Sequence, residues 1–380
     1  MINEKKLHGK RYIFVILLVI ALAICIYFLA SQRYNGLRNK GVGFQKDYFL
    51  AAFDTTEFKN DSVLVYYDQE FQEVFKQNIA IGSICDSFGP PIILEDKIYV
   101  APKGLGSKYD ANEVVEIDKK TGKIQRYQTN QNAVMGMAVS GKYIFTVCNW
   151  NMAGTLARTN KETKEVSEIT FPEEGSFQID SYGNYLYCFL NKWETKDVFQ
   201  TRCCVLDINI MEELGSFDLT DYGQEPDYTY MKNDVLYMPI NHTNTDEPCG
   251  LLVMYDTKTE ELKKVDLGVN YANQVLEYGK FLLITHADMT GANKEKNSVT
   301  FYDPKSEKFQ NYAVSSVLDQ VAVKNHLLYA LDAQEQMICV YDLNSSGEQL
   351  RLVNKYKLKS KEGTSTYRYF IGGFFMNSLR

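Results

Sequence analysis

Two histidines with acidic neighbours are the first residues in this sequence whose types suggest chemistry. His242 lies in the segment PINHTNTDEP and His286 in ITHADMTGAN, each at the end of a short apolar stretch. Asp246 and Glu247 follow the first histidine, and Asp288 follows the second. Imidazole and carboxylate groups suit zinc or manganese. The pattern predicts a divalent metal site formed by His242, His286 and Asp288. Exposed polar loop residues are the alternative, because no tight ligand spacing such as H-E-x-x-H is present.

Aromatic and amide side chains form a second set of candidates. Trp150 follows Asn149, and Trp193 lies close to Asn191, at corresponding positions after two apolar stretches. Indole rings flanked by amides can stack on a sugar or on a peptide side chain. With two polar residues from later loops, the predicted ligand-binding set is Trp150, Asn149, Trp193, Asn191, Asn241 and Asp332. The alternative is that the two indoles simply pack their own loops.

Polar residues also precede several short apolar stretches. They are Asn132, Ser176, Asp227, Asn273 and Asp319. If they surround a channel mouth, they can hold an ion or water, and turn formation explains them equally well.

Motifs for nucleophilic or nucleotide chemistry are missing from the sequence. It contains no Gly-x-Ser-x-Gly motif, no phosphate-binding loop and no dinucleotide fingerprint. We therefore predict no catalytic residue, and a divalent metal is the one cofactor for which residues are available.

A recurring hairpin is the element that must position these side chains. Its clearest copy is Val114–Tyr127, in which apolar residues alternate before and after the turn segment Asp118–Gly122. Seven copies align on one turn residue: Asp68, Asp118, Asn160, Asp207, Asp256, Asp303 and Asp342. The separations are 50, 42, 47, 49, 47 and 39 residues. A period of 40–50 residues built from strands predicts an all-β, seven-bladed β-propeller.

A second unit, a turn followed by an apolar strand, lies between the hairpins, for example SGKYIFTV and YGKFLLIT. It supplies two inner strands per blade, so each blade is predicted to be a four-stranded antiparallel sheet. The first hairpin lacks such a partner. We expect Tyr367–Met376 to fold back into the first blade and close the ring, which removes exposed strand edges. Asp47–Phe53 is the competing candidate for the same place.

The hairpin resembles the repeat of the pyrroloquinoline-quinone-repeat-like and YVTN-type propellers. Val114–Lys123 matches the pattern apolar-x-x-apolar-Asp-x-x-Thr-Gly-Lys, and Leu252–Leu262 and Val299–Phe309 match it in part. The resemblance covers about residues 47–377 and implies the seven-bladed fold. It implies little about function, because propellers serve as enzymes, lectins and scaffolds. The quinone enzymes favour tryptophan at the hairpin end, where this chain has Tyr127 and Tyr312, so the resemblance does not extend to quinone binding.

The N-terminal region predicts a membrane anchor. Tyr12–Ala30 is an uncharged apolar run of nineteen residues, which as a helix would span roughly 28 Å. Lysines and arginines before it predict a cytoplasmic segment 1–11, and residues 31–46 read as a stalk. The propeller at 47–377 is then extracytoplasmic. A cleaved signal peptide, or a lipoprotein signal ending at Cys25, is the alternative.

Charge narrows the function classes. The formal net charge is −7, but the first 40 residues hold seven Lys/Arg against Glu4, which leaves 34 basic and 47 acidic residues, a net −13, in the remainder. Such a domain is a poor partner for nucleic acid. We predict a membrane-anchored, cell-surface propeller of bacterial type that binds a protein, carbohydrate or other ligand through its loop-rich face without catalysis. A metal-dependent propeller enzyme of hydrolase, lyase or lactonase type and an envelope assembly scaffold are the alternatives.

Overall fold

The computed structural model of this protein describes residues 47–56, 60–85, 89–102, 112–131, 134–150, 153–195, 198–288, 297–343, 350–360 and 369–377. These residues form strands throughout. In chain order the strands are β1 (Leu50–Thr55), β2 (Val63–Tyr67), β3 (Glu73–Asn78), β4 (Ile92–Leu94), β5 (Lys97–Val100), β6 (Glu113–Asp118), β7 (Ile124–Gln128), β8 (Gly136–Ser140), β9 (Tyr143–Trp150), β10 (Ala153–Asn160), β11 (Val166–Phe171), β12 (Ile179–Tyr182), β13 (Tyr185–Thr195), β14 (Val198–Asp207), β15 (Glu213–Asp218), β16 (Tyr230–Lys232), β17 (Val235–His242), β18 (Pro248–Asp256), β19 (Leu262–Asp266), β20 (Ala272–Tyr278), β21 (Phe281–His286), β22 (Ser298–Asp303), β23 (Lys308–Ala313), β24 (Gln320–Lys324), β25 (Leu327–Asp332), β26 (Met337–Asp342), β27 (Arg351–Lys357) and β28 (Phe370–Met376).

The strands assemble into seven antiparallel sheets of four strands, which confirms the predicted seven-bladed propeller. Blades 2 to 7 each use four consecutive strands, from β4–β7 to β24–β27. Within each of these blades the first strand is innermost, and the recurring hairpin supplies the two outer strands. The outermost strands are largely exposed, as in β15, β19 and β27, while the second and third strands are buried.

The turn residue on which the repeats align explains why the hairpin can be recognised in the sequence. The Oδ1 atom of Asp118 accepts hydrogen bonds from the backbone N–H groups of Lys120 and Thr121, at 2.9 and 2.8 Å. Asp256 bonds Lys258 and Thr259 in the same way. A short carboxylate therefore replaces backbone partners inside the turn, which is the property that favours Asp and Asn there.

Ring closure uses both of the segments that the sequence offered as alternatives. Strand β28 is the innermost strand of blade 1, and it pairs antiparallel with β1, which is second. Asp47–Phe53 and the C-terminal segment are therefore neighbours in one sheet and not competitors for one position. Blade 1 thus combines both ends of the propeller.

Packing between blades forms the core. Phe53 and Leu64 of blade 1 share a buried cluster with Ile98 and Ile117 of blade 2. On the other side of blade 1, Phe374 packs in a cluster with residues of blade 7. Because each blade covers the apolar faces of two neighbours, the ring must close before the first and last blades are fully buried.

Two glutamines link the innermost strands of neighbouring blades. In blade 7, the Gln320 side chain donates to the Phe374 carbonyl at 2.7 Å and accepts from the Phe374 N–H at 2.8 Å. In blade 6, Gln274 donates to the Leu318 carbonyl and accepts from the Val321 N–H, both at 3.0 Å. We call these two residues the latch glutamines. They pair peptide groups on the channel edge of the next inner strand, which has no further strand beside it.

Among the residues described, no helix has the length and apolar character needed to cross a membrane. The predicted anchor at residues 12–30 lies outside those residues and remains a prediction.

Candidate functional site

The predicted metal ligand His286 is fully buried at the end of β21 and is engaged by protein groups. Its Nδ1 lies 3.2 Å from the Asn270 carbonyl, to which it must donate, and its Nε2 lies 2.7 Å from the Thr300 hydroxyl. Burial lowers the pKa of His286 to about 4. Both ring nitrogens are therefore used in holding the β21 end to its surroundings.

His242 has a different environment, at the end of β17. Its Nδ1 lies 2.9 Å from the Asn241 Oδ1 atom, and its ring packs edge-on against Tyr271 with centroids 5.7 Å apart. Within the described part of the chain, no three His, Cys, Asp or Glu side chains are grouped so that they could hold a metal ion. The structure thus does not bring His242, His286 and Asp288 together as one ligand set.

The predicted amide residues hold loops in place. Asn149 Oδ1 accepts from the Ser176 N–H at 2.8 Å, which ties the end of β9 to the segment before β12. Asp332 instead caps its own turn in blade 7, where its Oδ1 atom accepts from the Glu335 N–H at 3.0 Å. The side chains of Trp150 and Trp193 lie outside the described part of the structure, so their role remains a prediction.

The polar residues that the sequence places near the starts of inner strands have different surroundings. Ser176 is bonded through its N–H, and Asp319 accepts from the Ala333 N–H at 2.7 Å. Asn273 is 1% exposed, and its side-chain amide has no hydrogen-bond partner among the described residues. Asn132 lies outside the described residues. Asp227, the remaining member of this set, lines a pocket.

This pocket, which we call the channel pocket, opens among the innermost strands of blades 2 to 5 and has a volume of about 120 Å³. Its apolar wall comes from blades 2 and 3 and includes Ile92, Ala101, Val134, Met135 and Met137. Its polar wall comes from blades 4 and 5 and consists of Gln178, Asp180, Asp227, Tyr228 and Thr229. One ligand can therefore meet an apolar surface and carboxyl groups together.

The residues that correspond to the latch glutamines in the other blades explain why the pocket lies on this side of the ring. The innermost strand ends at Tyr278 in blade 6 and at Lys324 in blade 7, and each latch glutamine lies four residues before that end. The same count in blades 2 to 5 gives Pro90, Gly136, Gln178 and Tyr228, and all four line the pocket. Of these only Gln178 keeps the amide, and it bonds Asp180 of its own blade at 2.9 Å. Without glutamines that reach the next blade, space remains between the inner strands.

Asp180 is the centre of the polar wall. Its Oδ2 atom accepts hydrogen bonds from the Thr229 hydroxyl at 2.5 Å and from Gln178. The hydroxyl of Thr229 has a single proton, so Tyr182, at 3.1 Å from it, must donate to Thr229. Burial raises the pKa of Asp180 to about 6, and the neutral donors only partly oppose that rise. This carboxyl therefore changes charge close to neutral pH.

Asp227 and Glu225 supply two further carboxyl groups. Asn241 donates to Asp227 Oδ2 at 2.6 Å, and His242 donates to Asn241. Two predicted site residues therefore form a hydrogen-bonded chain that ends on a pocket carboxylate. Burial, and then the charge of Asp227, raises the pKa of Glu225 well above its usual range. Its Oε2 atom is buried without a hydrogen-bond partner in the described structure.

No protein-family model and no curated protein matches the sequence. Similar folds include a putative 6-phosphogluconolactonase from Bacteroides uniformis, with 11% identity and a TM-score of 0.55 over 85% of this chain and 99% of that chain. AztD from Citrobacter koseri has 10% identity and a TM-score of 0.53, over 88% and 99%. Hydrazine synthase from Kuenenia stuttgartiensis has 15% identity and a TM-score of 0.52, over 71% and 86%. The chain shares their fold. Identities this low carry no function across, because propellers host unrelated activities.

Part of this site is predictable from the sequence. Asp227 was identified by its position before an inner strand, and Asn241 by its loop. Asp180 and Thr229 were missed, because each looks like an ordinary polar residue at the edge of a short strand. The available signal was the count back from the inner turn, which places Gln178 and Tyr228 at the position of the latch glutamines.

Proposed function

We propose that this protein is a membrane-anchored binding protein whose propeller takes up a small ligand in the channel pocket without transforming it. The observation that carries the proposal is the pocket itself, which has one apolar and one carboxyl-bearing wall. Concave sites with an apolar lining and a few convergent polar groups are the usual form of small-molecule sites. Segment 12–30 would hold the propeller at the membrane, with the N-terminus in the cytoplasm.

Ligand binding is tested with a thermal-shift screen of a small-molecule library on the full chain in detergent. Compounds that stabilise the protein should lose their effect in Ala101→Leu, which adds volume inside the pocket. They should keep it in Ala313→Leu, the same change at an exposed position of blade 6. Stabilising compounds that act equally on both variants would place binding elsewhere and refute the proposal, as would a screen without any stabilising compound.

Membrane anchoring is tested by fractionating cells that produce the full chain and a version lacking residues 12–30. The full chain should sediment with membranes and be digested when protease is added to intact cells or spheroplasts. The shortened chain should be soluble. Protection of the propeller from external protease would overturn the proposed orientation. Recovery of a specific membrane protein with the full chain would favour the scaffold alternative.

A second candidate function, hydrolysis, is favoured by the carboxyl group of Asp180. A pocket carboxyl with a pKa of about 6 is suited to general acid–base catalysis near neutral pH. Among the similar folds is a putative 6-phosphogluconolactonase. Turnover of a panel of lactones that is lost in Asp180→Asn would establish this function. If a metal is required, plasma mass spectrometry of the purified full chain should detect about one equivalent.

A further inference from the structure

Exposed apolar side chains are concentrated at one end of the propeller. In blades 2 to 7 the first strand turns into the second, and the third into the fourth, at the same end, which we call the turn end. Of the nine large hydrophobic side chains that are exposed in the described structure, all except Phe177 lie in a turn or within two residues of the strand end beside it. They include Leu94 in blade 2, Tyr185, Ile210 and Leu214 in blade 4, Phe309 in blade 6 and Val353 in blade 7. The apolar surface is therefore spread around the turn end and does not form a single groove.

Ile210 is 60% exposed although the turn that carries it is firmly held. Its neighbour Met211 is buried in the cluster between blades 3 and 4, and the Asp207 Oδ1 atom accepts from the Ile210 N–H at 3.2 Å. In blades 2, 3, 5 and 6 the corresponding turn position holds Thr121, Thr163, Thr259 and Ser306. An isoleucine at a position that otherwise carries a hydroxyl group exposes apolar surface that the turn itself does not require.

Leu214 departs from the repeat in a second way. The register of the outer hairpin of blade 4 shifts between Val205 and Leu206, and Leu214 is the extra residue in the outermost strand. It is 55% exposed. The outer hairpins of blades 2, 3, 5 and 6 pair without such a shift, whereas a shift in blade 7 leaves Val353 as an exposed extra residue. Because bulges redirect side chains, these two add apolar groups to the surface of the turn end.

The chain enters the propeller at this same end. Phe49 precedes β1, and its N–H donates to the Tyr67 carbonyl at 2.7 Å, next to the outer turn of blade 1 that begins at Asp68. The predicted anchor ends at Ala30, so sixteen residues, 31–46, separate it from the described propeller. Even when fully extended, sixteen residues span at most about 58 Å. A chain anchored through segment 12–30 is therefore tethered to the bilayer from its turn end.

We propose that the turn end is a membrane-contact surface, which rests on the lipid bilayer in which the chain is anchored. The inference rests on the membrane anchoring proposed above and specifies which end of the propeller the bilayer meets. Exposed apolar patches among polar residues mark protein or membrane contacts. A planar bilayer can meet apolar side chains of several blades at once, and tyrosines such as Tyr185 are favoured at the membrane–water interface. The tether at this end favours the bilayer over a partner protein.

This orientation leaves the channel pocket accessible. Ala101 follows a second strand and Val134 precedes a first strand, so these two lining residues lie toward the end opposite to the turns. The turn end carries exposed charges of both signs, for example Lys164 beside Glu165 and Glu307 beside Lys308. Contact with a zwitterionic lipid such as phosphatidylcholine is therefore expected, without a requirement for anionic lipid.

Tryptophan reporters test the contact in the full chain, reconstituted in nanodiscs of phosphatidylcholine with brominated or unbrominated acyl chains. Ile210→Trp places a reporter at the turn end, and Phe177→Trp places a matched reporter at an exposed position of the opposite end. The fluorescence of Trp150 and Trp193, which all variants share, is measured in the unchanged chain and subtracted. We expect bromine to remove at least about half of the fluorescence that Ile210→Trp adds, because interfacial side chains reach the acyl boundary, and to leave that of Phe177→Trp unchanged.

Absence of quenching for Ile210→Trp, or quenching of Phe177→Trp that is equal or stronger, would overturn the proposal. The nanodiscs contain no other protein, so a turn end that instead binds a partner protein would also give no quenching there. If the chain stays in the nanodiscs without quenching, the contact alone is refuted and anchoring stands. If the chain does not associate with the nanodiscs or with cell membranes, anchoring and the contact both fail.

A residue exchange between equivalent turns tests the apolar side chain itself. With Phe309→Trp as the reporter at the turn end of blade 6, Ile210→Thr should lower the quenched fraction by roughly half. Thr259→Ile, the reverse change at the corresponding position of blade 5, should not lower it. Each substitution introduces a residue that already occurs at this turn position, so we expect both variants to fold. Quenching that is unchanged by Ile210→Thr would show that the tether alone keeps this end near the bilayer, and would overturn the proposed contact.

Discussion

Replacing the latch glutamine Gln320 should open the propeller at its closure. Gln320 is 7% exposed, and its amide pairs with both polar groups of the Phe374 peptide, at 2.7 and 2.8 Å. Gln320→Leu keeps a similar volume but removes both hydrogen bonds. It leaves a backbone N–H and a backbone carbonyl unpaired beside a residue, Phe374, that is fully buried.

The expected cost follows from those two groups. Each unpaired buried polar group costs about 1–3 kcal/mol, and the added apolar surface of leucine returns a part of that. We therefore expect the free energy of unfolding to fall by about 3 kcal/mol. For a domain of this size that corresponds to a decrease in Tm of about 4 °C.

Urea denaturation followed by circular dichroism measures this change, with Gln310→Leu as the matched control. Gln310 is exposed on the outermost strand of blade 6, and the same substitution there should alter stability by less than about 0.5 kcal/mol. Hydrogen exchange at the Phe374 amide should accelerate in Gln320→Leu only. If the two variants are equally stable, or if exchange at Phe374 does not change, the latch does not hold the closing strand and the reasoning is wrong.

Three further perturbations test other parts of the fold. Burial lowers the pKa of His286 from 6.5 to about 4, so the folded state takes up a proton less readily than the unfolded state. The free energy of unfolding should therefore fall by about 3 kcal/mol as the pH drops from 6.5 to 4. In denaturation curves, His286→Gln should remove that part of the pH dependence. Glu260 has φ +60° in a hairpin turn, a conformation that glycine adopts more readily, so Glu260→Gly should stabilise the protein by about 0.5 kcal/mol. Gly122 has φ +65° in the corresponding turn, so Gly122→Ala should destabilise the protein by about 1 kcal/mol in the same assay. A Cβ at Gly250 would overlap the Val269 carbonyl, so Gly250→Ala should lower the free energy of unfolding by about 3 kcal/mol or more. Gly215→Ala, on an exposed outer strand where nothing lies within 4 Å of the added Cβ, should not destabilise the protein. A less stable Gly215→Ala than Gly250→Ala variant would contradict the packing.

The blade architecture could be predicted because its signals are local. Asp118 and Asp256 cap their own turns, two and three residues away, so the chemistry that selects them is visible in a short stretch of sequence. Strand alternation beside the turn is equally local. Closure was harder to predict, since either terminal segment could fill one position and only the pairing of β1 with β28 shows that two positions had to be filled.

The candidate site was only partly predictable, since its geometry depends on contacts between blades. Asn241, which is predicted to bind ligand, donates a hydrogen bond to Asp227, and the positions of the two residues in the sequence do not show this contact. His286 has the residue type of a metal ligand, yet its two ring nitrogens are used by Asn270 and Thr300. Sequence patterns identify residue types at loop positions, but they do not show which neighbouring blade satisfies them.

One position of the repeat therefore serves two purposes around the ring. In blades 6 and 7 it holds glutamines that hydrogen-bond to the innermost strand region of the next blade. For blade 7, that next strand is the closing strand β28. In blades 3 and 5 it holds Gly136 and Tyr228, which cannot make that pair of hydrogen bonds, and the inner strands leave a pocket there. Restoring an inter-blade glutamine by Tyr228→Gln should thus tighten the ring and narrow the pocket together. A variant that gained stability and retained full ligand affinity would show that the two purposes are independent.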